Sequence, residues 1–356
     1  MQNKLVVYLS ERRVAEMTNV NTIGKYRTQL MGLCIISVML CHNTLQLSGK
    51  MQELNSAARM FFQGGVDGFL ILSGFGCFYS FYKCRNIKEY YYRRFIKIIP
   101  TYVLVILCYA VFSVWIVKDV SLSQFWHAYN LITFWTEGVL REWYVAAILA
   151  LYVISPLFFY LADRNRSVYK VLMAMAVCIP YVLILIDLPV NLLIINEIFI
   201  CRVPAFMFGI LIASWGQMES AHRDSKLGWS ILLLVLIISV WAVIYNSQIA
   251  CKTILLRMLF TPMCIAFFVL TSAAMDKVRY KGHMLAWLGG LTLEIYLLHE
   301  KMLGISYYVC HRLIRTPFIS SVVENIMAVT VSAIGAYLLH SLVNLLLSKW
   351  RTIKVS

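Results

Sequence analysis

The stretch from Phe61 to Pro100 reads FFQGGVDGFLILSGFGCFYSFYKCRNIKEYYYRRFIKIIP, and it limits the possible folds more than any other part of the chain. An apolar, glycine-rich run carrying one acid, Asp67, meets a cluster of cations: Lys83, Arg85, Lys88, Arg93, Arg94 and Lys97. A second apolar run follows at once. Soluble domains rarely set so many Lys and Arg between two long apolar runs, whereas membrane proteins do so at their cytoplasmic face. The stretch reads as a span over 64–82, a basic cytoplasmic loop over 83–97 and a return span over 98–117.

The rest of the chain agrees. Of 356 residues, 61% are hydrophobic and only 14% charged, too few charges to cover a soluble protein of this size. Recurrent apolar runs of about 18 residues or more argue against the alternative of one large soluble core. The net charge of +15 invites a nucleic-acid reading. The cations sit in short loops between apolar runs, which is an orientation pattern and not a binding stripe, so no nucleic-acid partner is expected. Residues 1–27 are polar and charged, with no apolar stretch and cleavage site, so the first span is expected to insert and stay. The ten cysteines lie mostly inside apolar runs without zinc spacing and read as small hydrophobes. Cys251 and Cys310 fall near outer loops, and their pairing stays open.

Ten spans follow from the hydropathy: 28–46, 64–82, 98–117, 142–161, 169–187, 196–215, 227–245, 254–274, 284–301 and 322–347. The expected fold is all-α and polytopic: a cytoplasmic segment 1–27, one transmembrane domain over 28–347 and a tail over 348–356. An aromatic outer loop, 118–141, carries Trp126 and Trp135 as interface anchors, with Trp143 just beyond it. The head, the even-to-odd loops and the tail hold 22 of the 32 Lys and Arg residues, which puts both termini in the cytoplasm. The loop 188–195 carries none and is expected outside.

Charges within spans are the next signal, since each costs about 2.5–3.5 kcal/mol at a helix centre on insertion scales. His42, Asp67, Glu142, Glu197, Arg202, Arg257 and His299 all map to the outer half, with Glu294 nearer the middle. Side chains snorkelling to the interface explain such a set, and so does a polar cavity opening outward. The cavity is the reading taken for His42, Asp67, Arg202 and His299. His42 and Gln46 fall on one face at i, i+4, and Thr292, Tyr296 and His299 at i, i+4, i+7. Gly64 and Gly68 form a small-xxx-small face beside Asp67. His340 has no comparable stripe and reads as a packing or interface residue.

Six stretches carry a resemblance. They are MGLCIISVMLCH (31–42), GGVDGFLILSGF (64–75), YYYRRFIKIIPTY (90–102), EWYVAAILALYVISP (142–156), RVPAFMFGILIASW (202–215) and LGGLTLEIYLLH (288–299). In this order the chain resembles the acyltransferase 3 family of bacterial integral-membrane acyltransferases. The resemblance implies a ten-span enzyme in the bacterial inner membrane that moves an acyl group, commonly acetyl, from cytoplasmic acyl-CoA to an extracytoplasmic sugar hydroxyl or lipid-linked sugar. No metal is expected. A separate extracytoplasmic partner that completes the transfer stays open, because the chain stops soon after the tenth span without a fused hydrolase-like domain.

Family motifs carry over unevenly. The first-span motif pairs an Arg with a His eleven residues on; the His is His42, the Arg position holds Met31, and Arg27 stands one turn below it. The Arg-x-x-Arg motif of the third span reads Arg94-Phe-Ile-Lys97, and Thr292 stands where the family has Ser. The chemistry agrees with these residues. A thioester donor brings several phosphate charges, for which Arg27, Arg93, Arg94 and Lys97 are the expected handle. The acceptor hydroxyl must lose a proton, and imidazole suits that near neutral pH. The expected catalytic set is therefore His42 and His299, with Asp67 or Glu142 to orient the base. Trp143, Tyr144, Arg202 and Tyr296 are the expected acceptor contacts. A transporter or flippase of a glycan or lipid-linked sugar is the competing class, and a subunit that only positions another enzyme is a third.

Overall fold

The computed structural model describes residues 22–186, 188–215, 223–249 and 252–355. The cationic head through residue 21, with Lys4, Arg12 and Arg13, lies outside them, as does Cys251. Among the described residues there is no strand. In chain order the α-helices are α1 (Thr22–Lys25), α2 (Arg27–Cys41), α3 (Gly49–Phe62), α4 (Gly64–Lys83), α5 (Ile87–Ala110), α6 (Leu122–Tyr129), α7 (Ile132–Glu137) and α8 (Trp143–Arg164). They continue as α9 (Arg166–Ile184), α10 (Val190–Ile198), α11 (Val203–Trp215), α12 (Arg223–Asn246), α13 (Lys252–Lys277), α14 (His283–Gly290), α15 (Thr292–Leu313) and α16 (Pro317–Val355). A π-helical segment, Val111–Val117, continues α5, and a 3-10 turn, Ile200–Arg202, joins α10 to α11.

The protein is a multi-pass membrane protein. Among the described residues, seven helical segments are long and apolar enough to cross a bilayer: Gly49–Lys83, Ile87–Val117, Trp143–Arg164, Arg166–Ile184, Val190–Ser214, Lys252–Lys277 and Pro317–Lys349. All ten expected spans lie on helix, yet three fall short of that measure. The first is the 15-residue α2. The seventh is short over its described part, Ser230–Asn246. The ninth is broken at Leu291 between α14 and α15.

Two expectations change here. The first span stops at Cys41 and does not run to residue 46. Its last carbonyls are taken by side chains: His42 Nδ1–H donates to the Val38 carbonyl at 2.9 Å and Asn43 Nδ2 to that of Leu40 at 2.7 Å. Side chains that satisfy the terminal carbonyls end a helix, so the supposed helical face shared by His42 and Gln46 does not exist. The basic stretch 83–97 is not a loop either, because α5 begins at Ile87. The Asn86 side chain accepts from the backbone N–H of Lys88 at 3.0 Å and of Glu89 at 3.2 Å, which starts the helix. A Glu89–Arg93 pair at i, i+4 supports its first turn.

The chain forms two compact units. The first gathers the chain up to Leu30, Val66–Arg94 and Asn130–Gly282. Within it α4 crosses α11 at two glycines. A Cβ on Gly74 would lie 2.1 Å from the Phe206 carbonyl oxygen, and one on Gly209 would lie 2.0 Å from that of Ile71. Only hydrogen fits there, so a small-residue contact falls at Gly74 and Gly209. Tyrosine hydroxyls tie the other helices in: Tyr169 to the Met207 carbonyl, Tyr90 to Ser155 and Tyr26 to the Met275 carbonyl. α4 is buried along nearly its whole length and is central to this unit, whereas α9 leaves most of its apolar side chains at least partly exposed, as a helix against lipid does.

The second unit gathers Met31–Gly65, Phe95–Tyr129 and the chain from His283 onward. Its base is the pairing of α15 with α16, where Gly335 admits Leu298, and Trp287 of α14 meets Tyr337 of α16. The backbone of α2 comes so close to α14 that a Cβ on Gly32 would meet the Leu285 carbonyl oxygen at 2.2 Å. The segment after α2 is pinned to α16: the N–H groups of Thr44 and Gln46 donate to Asn325 Oδ1 and Ser321 Oγ, and Thr44 Oγ1–H donates to Glu324 at 2.6 Å.

Candidate functional site

The first cluster lies in the first unit and is built on Gly76 of α4. Arg27, at the start of α2, donates from Nε to the Leu72 carbonyl at 2.9 Å. Arg94 of α5 donates from a terminal nitrogen to the Gly76 carbonyl at 2.8 Å. A Cβ on Gly76 would sit 2.7 Å from a terminal nitrogen of Arg27. Glycine at this position lets the Arg27 guanidinium lie against α4, one turn from the carbonyl that Arg94 uses. The Arg94 guanidinium also lies over the rings of Tyr90 and Tyr152, at 5.4 and 5.3 Å. Neither arginine has a carboxylate partner among the described residues, and the buried Nε of Arg94 has no acceptor there. Two adjacent cations and a spare N–H together make a site for a polyanion. Of the other expected donor-side cations, Arg93 turns to Glu89 at 2.6 Å, and Lys97 is exposed.

A second set in the same unit is paired internally. Asp67 accepts from Arg202 Nε at 3.2 Å, with side-chain exposures of 0% and 2%. Arg202 also donates to the Ile198 carbonyl at 2.6 Å and lies 5.1 Å from the centre of the Trp143 ring. Arg257 meets Glu197 at 3.1 Å. Tyr144 leans on Phe69 with ring centres 6.2 Å apart. Glu142 is buried and sits at the head of α8 in a left-handed conformation, φ 52°.

The third cluster lies in the second unit. His42 and His299 meet edge to face with ring centres 4.9 Å apart, and His42 Nδ1 stands 3.3 Å from His299 Nε2. The His299 ring is fixed by its Nδ1–H, which donates to the Tyr296 carbonyl at 2.6 Å. His42 Nδ1–H is likewise committed to Val38. The other nitrogen of His42, Nε2, faces Glu300 Oε1 at 3.0 Å. His42, His299 and Glu300 are also a set whose donor atoms, all within 4.8 Å of one another, could surround a metal ion. The direct contact of His42 with Glu300 already joins two of the three as an ion pair. Chemically the cluster is an imidazole held at one nitrogen by a carbonyl and at the other by a carboxylate.

The structure thus brings together His42 with His299, Asp67 with Arg202 and Trp143, and Arg27 with Arg94. It adds residues that the sequence reading missed. Glu300 is the carboxylate at His42. Glu324, 1% exposed, pairs with His311 at 3.2 Å and holds Thr44. His340, read as a packing residue, pairs with Glu294 at 2.8 Å. One signal was present for the last two acids: Glu294 and Glu324 both stand in apolar runs, where a carboxylate needs a partner.

Comparison with known proteins gives one positive result. The pattern of the acyltransferase 3 family, described as an acyltransferase domain, matches residues 29–341. No curated protein and no solved structure matches.

Proposed function

The chain belongs to the acyltransferase 3 family, and we propose that it is a membrane O-acyltransferase, in the first instance an O-acetyltransferase. The donor is cytoplasmic acyl-CoA, and the acceptor is an extracytoplasmic sugar hydroxyl of a surface glycan or its lipid-linked precursor. The enzyme works in the bacterial cell membrane with both termini inside. The observation that carries this reading is the Arg27–Arg94 pair at Gly76, two guanidinium groups without a carboxylate partner among the described residues. Cations packed together without an acid are costly unless an anion joins them, and the pyrophosphate and phosphate groups of CoA are such anions.

The chemical step falls to His42. Its Nδ1 is tied to Val38, and Nε2 takes the proton from the acceptor hydroxyl once its 3.0 Å contact with Glu300 has opened. The O–H bond breaks, the oxygen attacks the thioester carbonyl, the C–S bond breaks, and the proton returns from Nε2 to the departing thiolate. No metal enters this scheme. A separate extracytoplasmic protein that receives the acyl group fits the same donor chemistry.

The transporter reading has one observation in its favour, since interrupted helices at Ile200–Arg202 and at Leu291 resemble the broken spans of transporters. Purified full-length protein decides between the two. Transfer of labelled acetyl from acetyl-CoA is expected of the enzyme, and substrate flux without covalent change is expected of a transporter. Removing a general base costs about 10²–10⁴ in rate, so His42→Ala is expected to abolish acylation while insertion and yield stay normal. His42→Gln keeps a hydrogen-bonding side chain that takes up no proton at neutral pH, and near wild-type acylation by that variant refutes the assignment.

A further inference from the structure

We infer that the C-terminal end of α13 positions Arg27 for the donor: Asp276 and the Met275 carbonyl clamp Lys25 and Tyr26, and the clamp sets the Arg27 guanidinium beside that of Arg94. The inference rests on the donor reading of Arg27 and Arg94 given above. Three contacts tie the short helix α1 to α13. Thr22 Oγ1 and Ser272 Oγ are 3.0 Å apart, Lys25 Nζ donates to Asp276 Oδ1 at 2.8 Å, and the Tyr26 hydroxyl donates to the Met275 carbonyl at 3.2 Å. Ile23 and Tyr26 are buried, so α1 is packed as well as bonded.

The clamp reaches Arg27 through the backbone. Tyr26 is the turn residue between α1 and α2, and Arg27 follows it directly. The Tyr26 N–H donates to the Thr22 carbonyl at 3.0 Å, and the Leu30 N–H donates to the Tyr26 carbonyl at 2.9 Å. Those bonds carry the helical path from α1 into α2, so a shift of α1 moves Arg27 with it.

Arg27 needs that hold. Arg94 is fixed by the Gly76 carbonyl and lies over two tyrosine rings. The Arg27 guanidinium has the Leu72 carbonyl as its one hydrogen-bond acceptor among the described residues. Two like charges on neighbouring turns repel. Were Arg27 loosely held, only the fraction of molecules with both cations in place would bind the phosphates of the donor at full strength. Folding has less use for the ion pair of the clamp. The Lys25 and Asp276 side chains are 49% and 22% exposed, and pairs so open to water contribute little to overall stability.

The test is isothermal titration of CoA, which carries the phosphates of the donor, into purified full-length protein in lipid nanodiscs. The thermal midpoint and kcat for thiol release from acetyl-CoA are measured beside it. Tyr26→Phe removes one buried hydrogen bond and is expected to weaken CoA binding about two- to tenfold. Asp276→Asn is expected to weaken it about two- to fivefold, as the loss of a partly exposed pair. Both should leave kcat unchanged, since the clamp acts on donor binding and not on the chemical step. The exchange Lys25→Asp/Asp276→Lys restores the pair with its sense reversed and is expected to bind CoA more tightly than either of its single members. The Arg27→Gln/Asp276→Asn double variant is expected to bind CoA no more weakly than Arg27→Gln alone, because the clamp acts only through Arg27. If Arg27→Gln weakens CoA binding while Tyr26→Phe and Asp276→Asn keep the wild-type affinity, with or without a lower midpoint, the clamp is overturned and the donor reading stands. The clamp is equally overturned if the losses of Arg27→Gln and Asp276→Asn multiply in the double variant. If Arg27→Gln leaves CoA binding unchanged, the donor reading falls and takes this inference with it.

Discussion

Asp67 and Arg202 came out of the sequence as candidates for catalysis and acceptor binding, and their geometry makes a different, measurable prediction. The two side chains are 0% and 2% exposed and touch at 3.2 Å. Breaking such a pair from one side leaves a buried charge uncompensated, at a cost of about 3–5 kcal/mol. The two single variants should not be equal. After Asp67→Asn, Arg202 still has the Ile198 carbonyl at 2.6 Å and the Trp143 ring at 5.1 Å. After Arg202→Met, Asp67 loses the partner of Oδ2, while its buried Oδ1 already has none among the described residues. Asp67→Asn is therefore expected near the lower figure and Arg202→Met near the upper. At roughly 2–4 °C per kcal/mol for a unit of this size, Asp67→Asn should lower the melting midpoint by about 6–12 °C and Arg202→Met by about 10–20 °C. The double variant Asp67→Asn/Arg202→Met removes both charges and should recover most of that loss. The assay is the thermal midpoint of detergent-purified protein, followed by fluorescence-detected size exclusion, alongside thiol release from acetyl-CoA. A single variant that keeps its midpoint but loses activity refutes the structural assignment and returns Asp67 to the chemistry. A double variant no better than the worse single refutes the pairing energetics.

Three further outcomes are expected. Arg27→Gln and Arg94→Gln should each raise KM for acetyl-CoA about tenfold or more, since a hydrogen bond to a charged group contributes about 1.5–3 kcal/mol. Arg93→Gln, whose partner is Glu89, should leave KM unchanged, and equal effects at all three positions would mean that the cluster sets topology only. Gly74→Ala should prevent recovery of monodisperse protein, because its methyl would lie 2.1 Å from a carbonyl oxygen; Gly304→Ala, with nothing within 4 Å, is the matched control. Single cysteines placed at 83–86, before α5, should label from the cytoplasmic side only and those at 188 and 189, before α10, from outside only, and the reverse pattern would overturn the donor-side assignment.

Much of the fold was legible because bilayer burial writes itself into composition: each long apolar run became helix, and no strand interrupts them among the described residues. Helix ends were less legible. The stop at Cys41 depends on the His42 and Asn43 side chains turning back to Val38 and Leu40, and an apolar run does not reveal that choice. The start of α5 inside the basic stretch was readable in principle, from Asn86 as cap and the Glu89–Arg93 spacing, but the charge pattern drew the eye to a loop. The partners of candidate site residues were not legible at all. His42 and Glu300 lie far apart in sequence, and only the folding of α15 beside the end of α2 places them at 3.0 Å. The glycines show the same limit. A small-xxx-small spacing marks where helices can approach, and the closest crossing chose Gly74 and Gly209.

What sorts the buried charges is whether each has an opposite partner within the protein. A charge held in an apolar interior needs a partner, a ligand or water. Asp67 with Arg202, Glu197 with Arg257, Glu294 with His340 and Glu324 with His311 meet that need inside the protein. Their chemistry is spent on holding helices together, which is why removing one partner should register first as lost stability. Arg27 and Arg94 do not meet it: they share one turn of α4, and the interior offers them carbonyls and rings but no acid among the described residues. A helix packing that needed only topology could have left those cations exposed, as it leaves Lys97. The two half-buried guanidinium groups lie side by side without an acid, and the proposed donor site accounts for that arrangement. The same test separates His42 from His311 and His340. The latter two face carboxylates that are themselves buried and need them, whereas the carboxylate at His42 is half-exposed and could be solvated by water without it.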